Sequence, residues 1–345
     1  MLVSNTKIIN STLPTGFSFR PATIDDLKIA VELFNICSVD QMGMESFSPN
    51  EVKVEWGMPK FNLNTDMRLV FSPEGRLVGF IEVWDISQPP VHPWIWARVH
   101  PDFEGMGIGS FLMTWAEERA KQAIPRVPQG ARVSIRSGAV NEHKATTQFL
   151  ENWGMTFIRR FVDMEVTFNG SPPSPQLPEG ITICTYAGEH DLKAVYLAMD
   201  DAFKDHWGHV EQPLEEGLEQ WRHWTEEDEE FDSTLWFLAM DGDEIAGMSL
   251  CHHKAAHDLD MGWVHVLGVR RPWRKLGLGL ALLHHSFTEF YRRDKSSAGL
   301  GVDASSLTGA TRLYEKAGMH VARQFDDYEK ELRPGEELST QAVAG

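Results

Sequence analysis

The chain has 345 residues, 42% of them hydrophobic and 24% charged, which predicts about two globular domains and excludes disordered, collagen-like and small disulfide-stapled folds. The formal net charge of −18 repels the phosphate backbone of a nucleic acid, so we expect no nucleic-acid partner. The three cysteines lie far apart and no apolar stretch reaches the ~18 residues of a membrane-spanning helix, so the sequence predicts a cytoplasmic protein with no membrane segment.

Two tails and one linker are predicted along the chain. Residues 1–16 lack a basic region followed by an apolar block, so they predict a loose N-terminal tail rather than a signal peptide. The segment Asn169–Pro175 is rich in proline, glycine and serine. It cannot continue a helix or a central strand, so we place a linker at residues 169–178. The small and polar residues 334–345 are predicted to form a loose C-terminal tail.

The sequence repeats itself on the two sides of this linker. Both halves open on a Leu-Pro-X-Gly segment, at Leu13 and at Leu177, and pairs of glycines then follow at a nearly constant separation. These pairs are Gly16 and Gly180, Gly79 and Gly247, Gly107 and Gly277, and Gly154 and Gly318. One fold used twice is therefore predicted, with domains at residues 17–168 and 179–333.

Each half is predicted to contain the same elements in the same order: a strand, two helices, a β-hairpin, a strand, a glycine loop with a long helix, a strand, a helix and a final strand. This is an α/β pattern with a mixed sheet. Ser48–Glu51 has the residues of a helix start, and Asp241-Gly242 is a hairpin turn between two apolar runs. In the second half, a strand over Gly262–Val269 leads through a loop into a helix over Gly277–Asp294.

The loop before that helix has the properties of a pyrophosphate site. A helix N-terminus offers unpaired N–H groups and the positive end of the helix dipole, and glycines let a phosphate approach the backbone. Arg270, Arg271, Arg274 and Lys275 place four cations there in an acidic chain. A solvated basic turn is the plain alternative. A Rossmann motif would need a third glycine, and a Walker A loop would need a Gly-Lys-Ser/Thr ending.

Two motifs resemble those of a known family. Arg274-Lys275-Leu276-Gly277-Leu278-Gly279 resembles the Arg/Gln-x-x-Gly-x-Gly signature of the GNAT superfamily of acyl-coenzyme A N-acyltransferases, and Leu313–Met319 resembles its later LYEKxGF segment. The two motifs in this order are more specific than either alone. The resemblance covers both halves, and tandem GNAT chains of this length are most similar to mycothiol synthase. It implies two GNAT domains and acetyl-coenzyme A (acetyl-CoA) as the cofactor.

The resemblance also implies the site residues. In the family, a base projects from the strand before the glycine loop, backbone amides of that strand hold the thioester and the pantetheine arm, and a tyrosine of a later helix protonates the sulfur. These roles fall on His265 as the base and Tyr314 as the acid. Mycothiol synthase carries a glutamate at the position of Trp263, which cannot take a proton. The implied cofactor-binding residues are Leu267, Val269, Arg274, Lys275, Leu276, Gly277, Leu278, Gly279 and Ser306.

Residue alternation predicts where these side chains point. Strict alternation along the strand places Trp263, His265 and Leu267 on one face of the sheet and the intervening valines on the other. A neutral histidine is basic at pH 7. A histidine satisfied in the core is the plain alternative for His265, and an amphipathic core tyrosine is the alternative for Tyr314.

The first half departs from the family pattern. Its loop keeps the glycines, but Glu104 replaces the leading Arg/Gln and would repel a phosphate. When the halves are aligned, Ile95 falls opposite His265 and Leu150 falls opposite Tyr314. We therefore expect a degenerate copy with neither base nor acid.

Two further groups of residues are candidates for a functional role, one as a metal site and one as part of the acceptor site. Cys251 and the histidines that follow it resemble zinc ligands, but adjacent strand residues point to opposite faces, so no metal site is predicted. Asp205–His209 follows a predicted helix at Asp191–Phe203, where the resemblance places the acceptor site, and an exposed loop without a special role is the alternative.

The sequence thus predicts an acetyl-CoA-dependent N-acetyltransferase. Its second half transfers the acetyl group to a primary amine of a small molecule by direct attack in a ternary complex. The competing hypothesis is a coenzyme A-binding sensor or scaffold in which neither half turns over. A monomer or weak homodimer is expected.

Overall fold

The computed structural model describes residues 12–186, 189–306 and 309–341, with the side chains of 189–191 left out. The ends of the two predicted tails, residues 1–11 and 342–345, lie outside the described residues. The chain divides into two compact units. The first unit runs to Gly138 and includes Glu329–Glu336, and the second consists of Ala139–Tyr328 and the residues from Glu337 onward.

The first unit is a mixed sheet with helices on it. Its sheet order is β1-β2-β3-β4-β5, followed by the C-terminal end of β12. β4 and β5 are parallel, and the other pairs among β1 to β4 are antiparallel. The elements are β1 (Ser18–Arg20), α1 (Leu27–Met42), α2 (Pro49–Trp56), α3 (Leu63–Asp66), β2 (Met67–Phe71), β3 (Leu77–Trp84), β4 (Trp94–Val99), α4 (Ile108–Ala120) and β5 (Val133–Val140), with β12 at His320–Arg333.

The second unit repeats this pattern. Its sheet order is β7-β8-β9-β10-β11-β6, followed by the N-terminal part of β12. β10 and β11 are parallel, and β11 and β6 are antiparallel. The elements are α5 (Lys144–Asn152), β6 (Thr156–Thr167), β7 (Ile181–Thr185), α6 (Glu189–Phe203), α7 (Leu214–Glu227), β8 (Trp236–Asp241), β9 (Glu244–His252), β10 (Met261–Val269), α8 (Leu278–Arg292), β11 (Ser297–Asp303) and α9 (Ala310–Lys316).

The predicted order of elements is confirmed in the second half and, apart from the additional short helix α3 before the hairpin, in the first; the mixed α/β sheet is confirmed as well. The capping box at the start of α2 is present, because the Ser48 hydroxyl accepts from the N–H of Glu51 at 3.2 Å while the Glu51 carboxylate accepts from the N–H of Ser48. The hairpin turn joins β8 to β9, with Gly242 at φ +58°.

The compact units follow strand pairing rather than the sequence repeat. β6 belongs to the first half by sequence, yet it pairs with β11 over the whole length of that strand. The limits 17–168 and 179–333 therefore stay a prediction about the repeat in sequence. The prediction of a loose C-terminal tail is wrong for residues 334–341. Arg132 N–H donates to Glu336 O at 2.7 Å, and Thr340 exchanges backbone hydrogen bonds of 2.8 Å with Gly208 and His209.

Two apolar cores lie on the two faces of the sheet in the second unit. One packs α8 and α9 against the sheet, with Leu282, Phe287 and Tyr314 among its buried members. The other packs α6 and α7, with Tyr196 and Leu218 among its members. In the part of the chain that the structure describes, no helix combines the length and hydropathy needed to cross a bilayer.

Candidate active site

A wedge-shaped gap opens between two parallel strands of the second unit. β10 and β11 pair from Met261 opposite Ser297 as far as Val264 opposite Leu300. Beyond that pair both strands continue, but β10 pairs with β9 and β11 pairs with β6. The facing edges therefore carry backbone N–H and C=O groups that lack a strand partner and are available to a ligand.

A β-bulge at His265 marks the start of the gap. The ladder between β10 and β9 pairs Val264 and then Val266, and His265 between them has no partner. A bulge inserts one residue and reverses the alternation of side chains beyond it. Accordingly, Val264 and Leu267 both pack in the α8 core, whereas Val266 packs in the α6–α7 core. The predicted shared face of His265 and Leu267 is therefore wrong.

The bulge also changes the comparison of the two halves. In the first unit, β4 makes its last parallel pair at Ile95 and reaches Val99 without a break in its antiparallel ladder. The corresponding stretch of β10, from Val264 to Val269, contains one residue more. Ile95 thus corresponds to Val264, and His265 is an extra residue with no counterpart. The predicted pairing of Ile95 with His265 is wrong because sequence alignment without a gap cannot detect a bulge.

His265 lies on the α6–α7 side of the sheet. Its ring centroid is 5.5 Å from that of His252, which precedes the loop after β9 and follows the buried Cys251 of the α8 core. His265 is accessible to solvent although protein atoms crowd it, as expected for a side chain that lines a cleft. Desolvation, with a further contribution from His252, lowers the pKa of His265 to about 4. The imidazole is therefore neutral near pH 7.

Leu267 and Val269 lie along the gap. Arg270 N–H donates to Ala246 O at 3.0 Å, on the β9 side. Backbone groups alternate between the two edges of a strand, so those of Leu267 and Val269 turn toward the gap. Val269 O accepts a hydrogen bond of 3.0 Å from Arg274 Nε, which leaves the amides as the donors that face a ligand.

The loop before α8 presents backbone N–H groups. Lys275 and Gly277 adopt left-handed conformations, with φ of +65° and +87°, and such alternation turns successive N–H groups into an anion-binding concavity. Gly277 precedes the first helical residue, Leu278. Gly279 is needed for a different reason, because a Cβ there would lie 3.0 Å from Leu313 Cδ1 of α9. Leu276 is exposed and Leu278 is buried.

Three of the four predicted cations are already paired with acidic residues. Arg270 Nε lies 2.9 Å from Asp201, and both Arg271 and Arg274 bind Asp205. Hydrogen bonds from these two arginines lower the pKa of Asp205 to about 2. The local positive field that the sequence predicts is therefore partly neutralised at the arginines, which anchor the loop to Asp201 of α6 and to Asp205 just beyond its end. Among the described residues, Lys275 has no ion-pair partner, so the backbone amides and this one lysine face an anion.

Tyr314 lies in the α8 core, on the opposite side of the sheet from His265. It shares that core with Leu267 and Val269 and is 6% exposed. Burial raises the pKa of its phenol to about 12. Ser306 lies in the turn between β11 and α9, where its N–H donates to Asp303 O at 3.0 Å. The arrangement thus places a neutral imidazole on one side of the gap and a protonated phenol on the other.

Sequence reasoning missed the part that Asp205 plays. Asp205 anchors the loop arginines, while its neighbour Trp207 donates to Gln341 at 3.1 Å and lies under Arg159. The signal was present as an acidic pair, Asp201 and Asp205, spaced one helical turn apart at the end of α6. Contact of this loop with an acceptor stays a prediction.

Comparison with known proteins identifies the family that this chain matches. The model of the Acetyltransferase (GNAT) family matches residues 32–135 and 192–319. The mycothiol acetyltransferase of Streptomyces bingchenggensis is 30% identical over 278 residues, which cover 76% of this chain and 79% of that protein. The mycothiol acetyltransferase of Streptomyces scabiei is 30% identical over 267 residues, covering 76% and 78%.

Solved structures share the fold. A GCN5-related N-acetyltransferase from Sphaerobacter thermophilus has a TM-score of 0.78 and 33% identity, with 96% of this chain and 100% of that chain covered. A tandem GNAT protein from the clavulanic acid biosynthesis pathway has a TM-score of 0.69 at 13% identity, with 93% and 100% covered, and shows similarity of fold alone.

Proposed function

Since the chain belongs to the acetyltransferase (GNAT) family and is an acyltransferase, we propose that its second unit transfers the acetyl group of acetyl-CoA to a primary amine of a small molecule. The observation that carries this proposal is the bulge at His265, which lies where the gap between β10 and β11 begins and has no counterpart in the first unit. Among the described residues, the second unit alone then combines a gap, a basic side chain where the gap begins and a buried phenol in the core beside it.

The amides of the loop and of β10 would hold acetyl-CoA. Its diphosphate fits the N–H groups of the left-handed turn at Lys275 and Gly277 and the N-terminus of α8. The amides of Leu267 and Val269 would bind the thioester carbonyl and the pantetheine arm as an added strand. Ser306 would contact the coenzyme from the turn before α9. Because this mode of binding uses backbone donors, the loop arginines are not needed to bind the diphosphate and can instead hold the loop in place through Asp201 and Asp205.

His265 would accept the proton of the amine as the C–N bond forms. A free alkylamine, whose conjugate acid has a pKa of about 10.4, binds a proton roughly a millionfold more tightly than the His265 imidazole with its pKa of about 4. His265 therefore does not deprotonate the ammonium in the ground state, and the amine enters as the free base. Its N–H groups become acidic when the nitrogen attacks the carbonyl carbon, and the neutral imidazole then takes one proton and returns it to water.

Tyr314 would stabilise the departing sulfur. The C–S bond breaks as the amide forms, and the electron pair stays on sulfur. A thiol of pKa about 8.5 holds its proton about a thousandfold less tightly than a phenol of pKa about 12. Tyr314 therefore donates a hydrogen bond to the thiolate and keeps its own proton. Burial serves this role because it keeps the phenol protonated throughout the working pH range.

The acceptor is proposed to be a small amine, as the mycothiol acetyltransferases similar to this chain suggest. Trp263 stands where mycothiol synthase carries a glutamate, and its ring covers Gly299, where a Cβ would lie 2.6 Å from the ring. The indole of Trp263 cannot act as a base, so His265, two residues further along β10, takes that role. This difference argues for an acceptor other than the mycothiol precursor.

Release of free thiol from acetyl-CoA tests the proposal. The full chain is incubated with acetyl-CoA and a panel of small primary amines, and thiol release is followed together with the mass of the acetylated product. We expect amine-dependent release with at least one amine and an amide product of matching mass. Tight binding of acetyl-CoA with no turnover on any amine would contradict the proposal and favour the sensor.

Tyr314→Phe tests the role of the phenol. We expect kcat to fall by about 10- to 100-fold, because one hydrogen bond to a charged leaving group is lost. The KM for acetyl-CoA should change little, since the bond forms as charge develops on sulfur. Tyr291→Phe is the matched control, because Tyr291 lies exposed on α8. An unchanged kcat in Tyr314→Phe would remove this residue from the reaction.

A further inference from the structure

A second buried cluster of charged groups lies in the first unit, where the sequence predicts only a degenerate copy. It is formed on the face of β3 and β4 that packs against α1. Phe80 pairs with Arg98 and Glu82 pairs with Trp96 across the two strands. Residues two apart on a strand share a face, so Arg98 and Glu82 are diagonal neighbours on the same face, with Phe80 and Trp96 completing the square.

Arg98 has an unused hydrogen-bonding edge. Its only hydrogen bond to a described residue runs from Nη1 to Ala97 O at 2.9 Å. Its Nε is inaccessible to solvent and has no partner, and none of its nitrogens forms an ion pair with a described carboxylate. The Nε and Nη2 edge of a guanidinium is the one that grips a carboxylate with two parallel hydrogen bonds. Among the described residues, this edge therefore has no acceptor that satisfies it.

Aromatic rings form the walls around this arginine. The guanidinium carbon of Arg98 lies 3.9 Å from the ring centroid of Trp96. Trp96 in turn contacts Phe34 at 4.7 Å and Phe47 at 5.5 Å between ring centroids. A cation on an aromatic face is partly stabilised without a counter-ion, which explains how the arginine persists here without an ion-pair partner among the described residues.

Carboxylates lie beside the arginine without touching it. Glu82 is 7% exposed, and burial raises its pKa to about 8. Glu55 of α2 is near enough to contribute to that shift, and burial raises its own pKa to about 7. The nearby Arg98 does not pair with either one. A positive group between Arg98 and the glutamates, joined to a negative group, would satisfy both sides.

From this arrangement we infer that the first unit binds a small zwitterion, such as a free amino acid, with its carboxylate on the Nε and Nη2 edge of Arg98 and its ammonium on Glu82. Diagonal neighbours on adjacent strands lie about 7–8 Å apart, within reach of a long side chain, yet the Arg98 guanidinium lies on the Trp96 ring and does not pair with Glu82. A small ligand that carries both charges would satisfy the two groups together. The site is independent of the acetyl transfer proposed for the second unit.

Calorimetric titration of the full chain tests the inference. The probes are the common L-amino acids, with acetate and methylammonium as the two half-ligands. We expect at least one amino acid to bind in the millimolar range or tighter, and at least tenfold weaker binding in Arg98→Met and in Glu82→Gln. Arg98→Lys should not restore affinity, because an ammonium lacks the bidentate edge. Arg292→Met on α8, with its side chain 70% exposed, is the control.

Proton release provides a second readout on the unmodified protein. At pH 7, Glu82 is mostly protonated, so an arriving ammonium should drive a proton off the carboxyl. Titrations in buffers of different ionisation enthalpy would report this release, and Glu82→Gln should abolish it. Absence of binding by every amino acid at about 100 mM, or equal affinity in Arg98→Met, would overturn the inference.

Discussion

Gly277→Ala raises the KM for acetyl-CoA by about 10- to 100-fold, as expected if the diphosphate is held by backbone amides of the loop. Gly277 has φ +87°, where an L-residue costs roughly 1–2 kcal/mol. A Cβ there meets nothing within 4 Å, so the effect comes from the backbone rather than from a clash. Relaxation of the loop would misdirect the N–H groups, and one charge-assisted hydrogen bond is worth about 1.5–3 kcal/mol.

Gly107→Ala is the matched control in the first unit. Gly107 occupies the same place before α4, has φ +84° and also has open space around its Cβ. The two variants should therefore lose similar stability, as measured by urea unfolding, while only Gly277→Ala changes the KM for acetyl-CoA. An equal rise in KM for both variants, or no rise in Gly277→Ala, would contradict the assignment of the diphosphate site.

His265→Ala is expected to lower kcat by about 10²- to 10⁴-fold, the range for loss of a general base. The KM for acetyl-CoA should stay nearly constant, because His265 lies where the gap begins and not on the diphosphate loop. His284→Ala is the control, since His284 lies on α8 and burial lowers its pKa as well. Steady-state kinetics with the best amine of the panel would measure both. Retention of full kcat in His265→Ala would exclude it as the base.

The pH dependence of kcat/KM for the amine tests the protonation state of His265. Desolvation by the surrounding protein atoms, with a contribution from His252, lowers the pKa of His265 to about 4, so the imidazole is largely neutral above about pH 5. The kcat/KM for the amine should then rise with pH in step with ionisation of the amine itself, without a step near 6.5. A step near 6.5 that disappears in His265→Ala would show that the histidine titrates normally and that burial does not govern it.

Local patterns made the element order and the glycine loop predictable from the sequence. Ser48 and Gly277 act through the conformation of their own segment, as a helix cap and as a left-handed residue before a helix. The two motifs of the second half were likewise local. Such features need no knowledge of distant residues, which is why the repeat and the mixed sheet could be derived without the structure.

Features that depend on distant pairing were not predictable. The bulge at His265 is a property of the ladder between β10 and β9, and without it the alternation argument placed Leu267 on the wrong face. The pairing of Arg271 with Asp205 joins residues 66 positions apart, so the arginines looked free in the sequence. Long-range register and ion pairing thus decided the points on which sequence reasoning failed.

The cluster around Arg98 was missed for another reason. The first half lacks counterparts of the acid and base of the second half, and the prediction of a degenerate copy rested on that difference alone. Glu82 nevertheless stands in an otherwise apolar run, Leu77–Trp84, where a lone carboxylate is costly unless it is satisfied. That exception to the hydrophobic pattern was the available signal.

A crystal structure of the full chain grown with acetyl-CoA tests the central claim most directly, because it locates the diphosphate. The account predicts density for the diphosphate against the amides of Lys275–Gly279, with the thioester beside Leu267 in the gap between β10 and β11. Density for the diphosphate at the loop around Gly107 alone, with the N-terminus of α8 empty, would contradict the account.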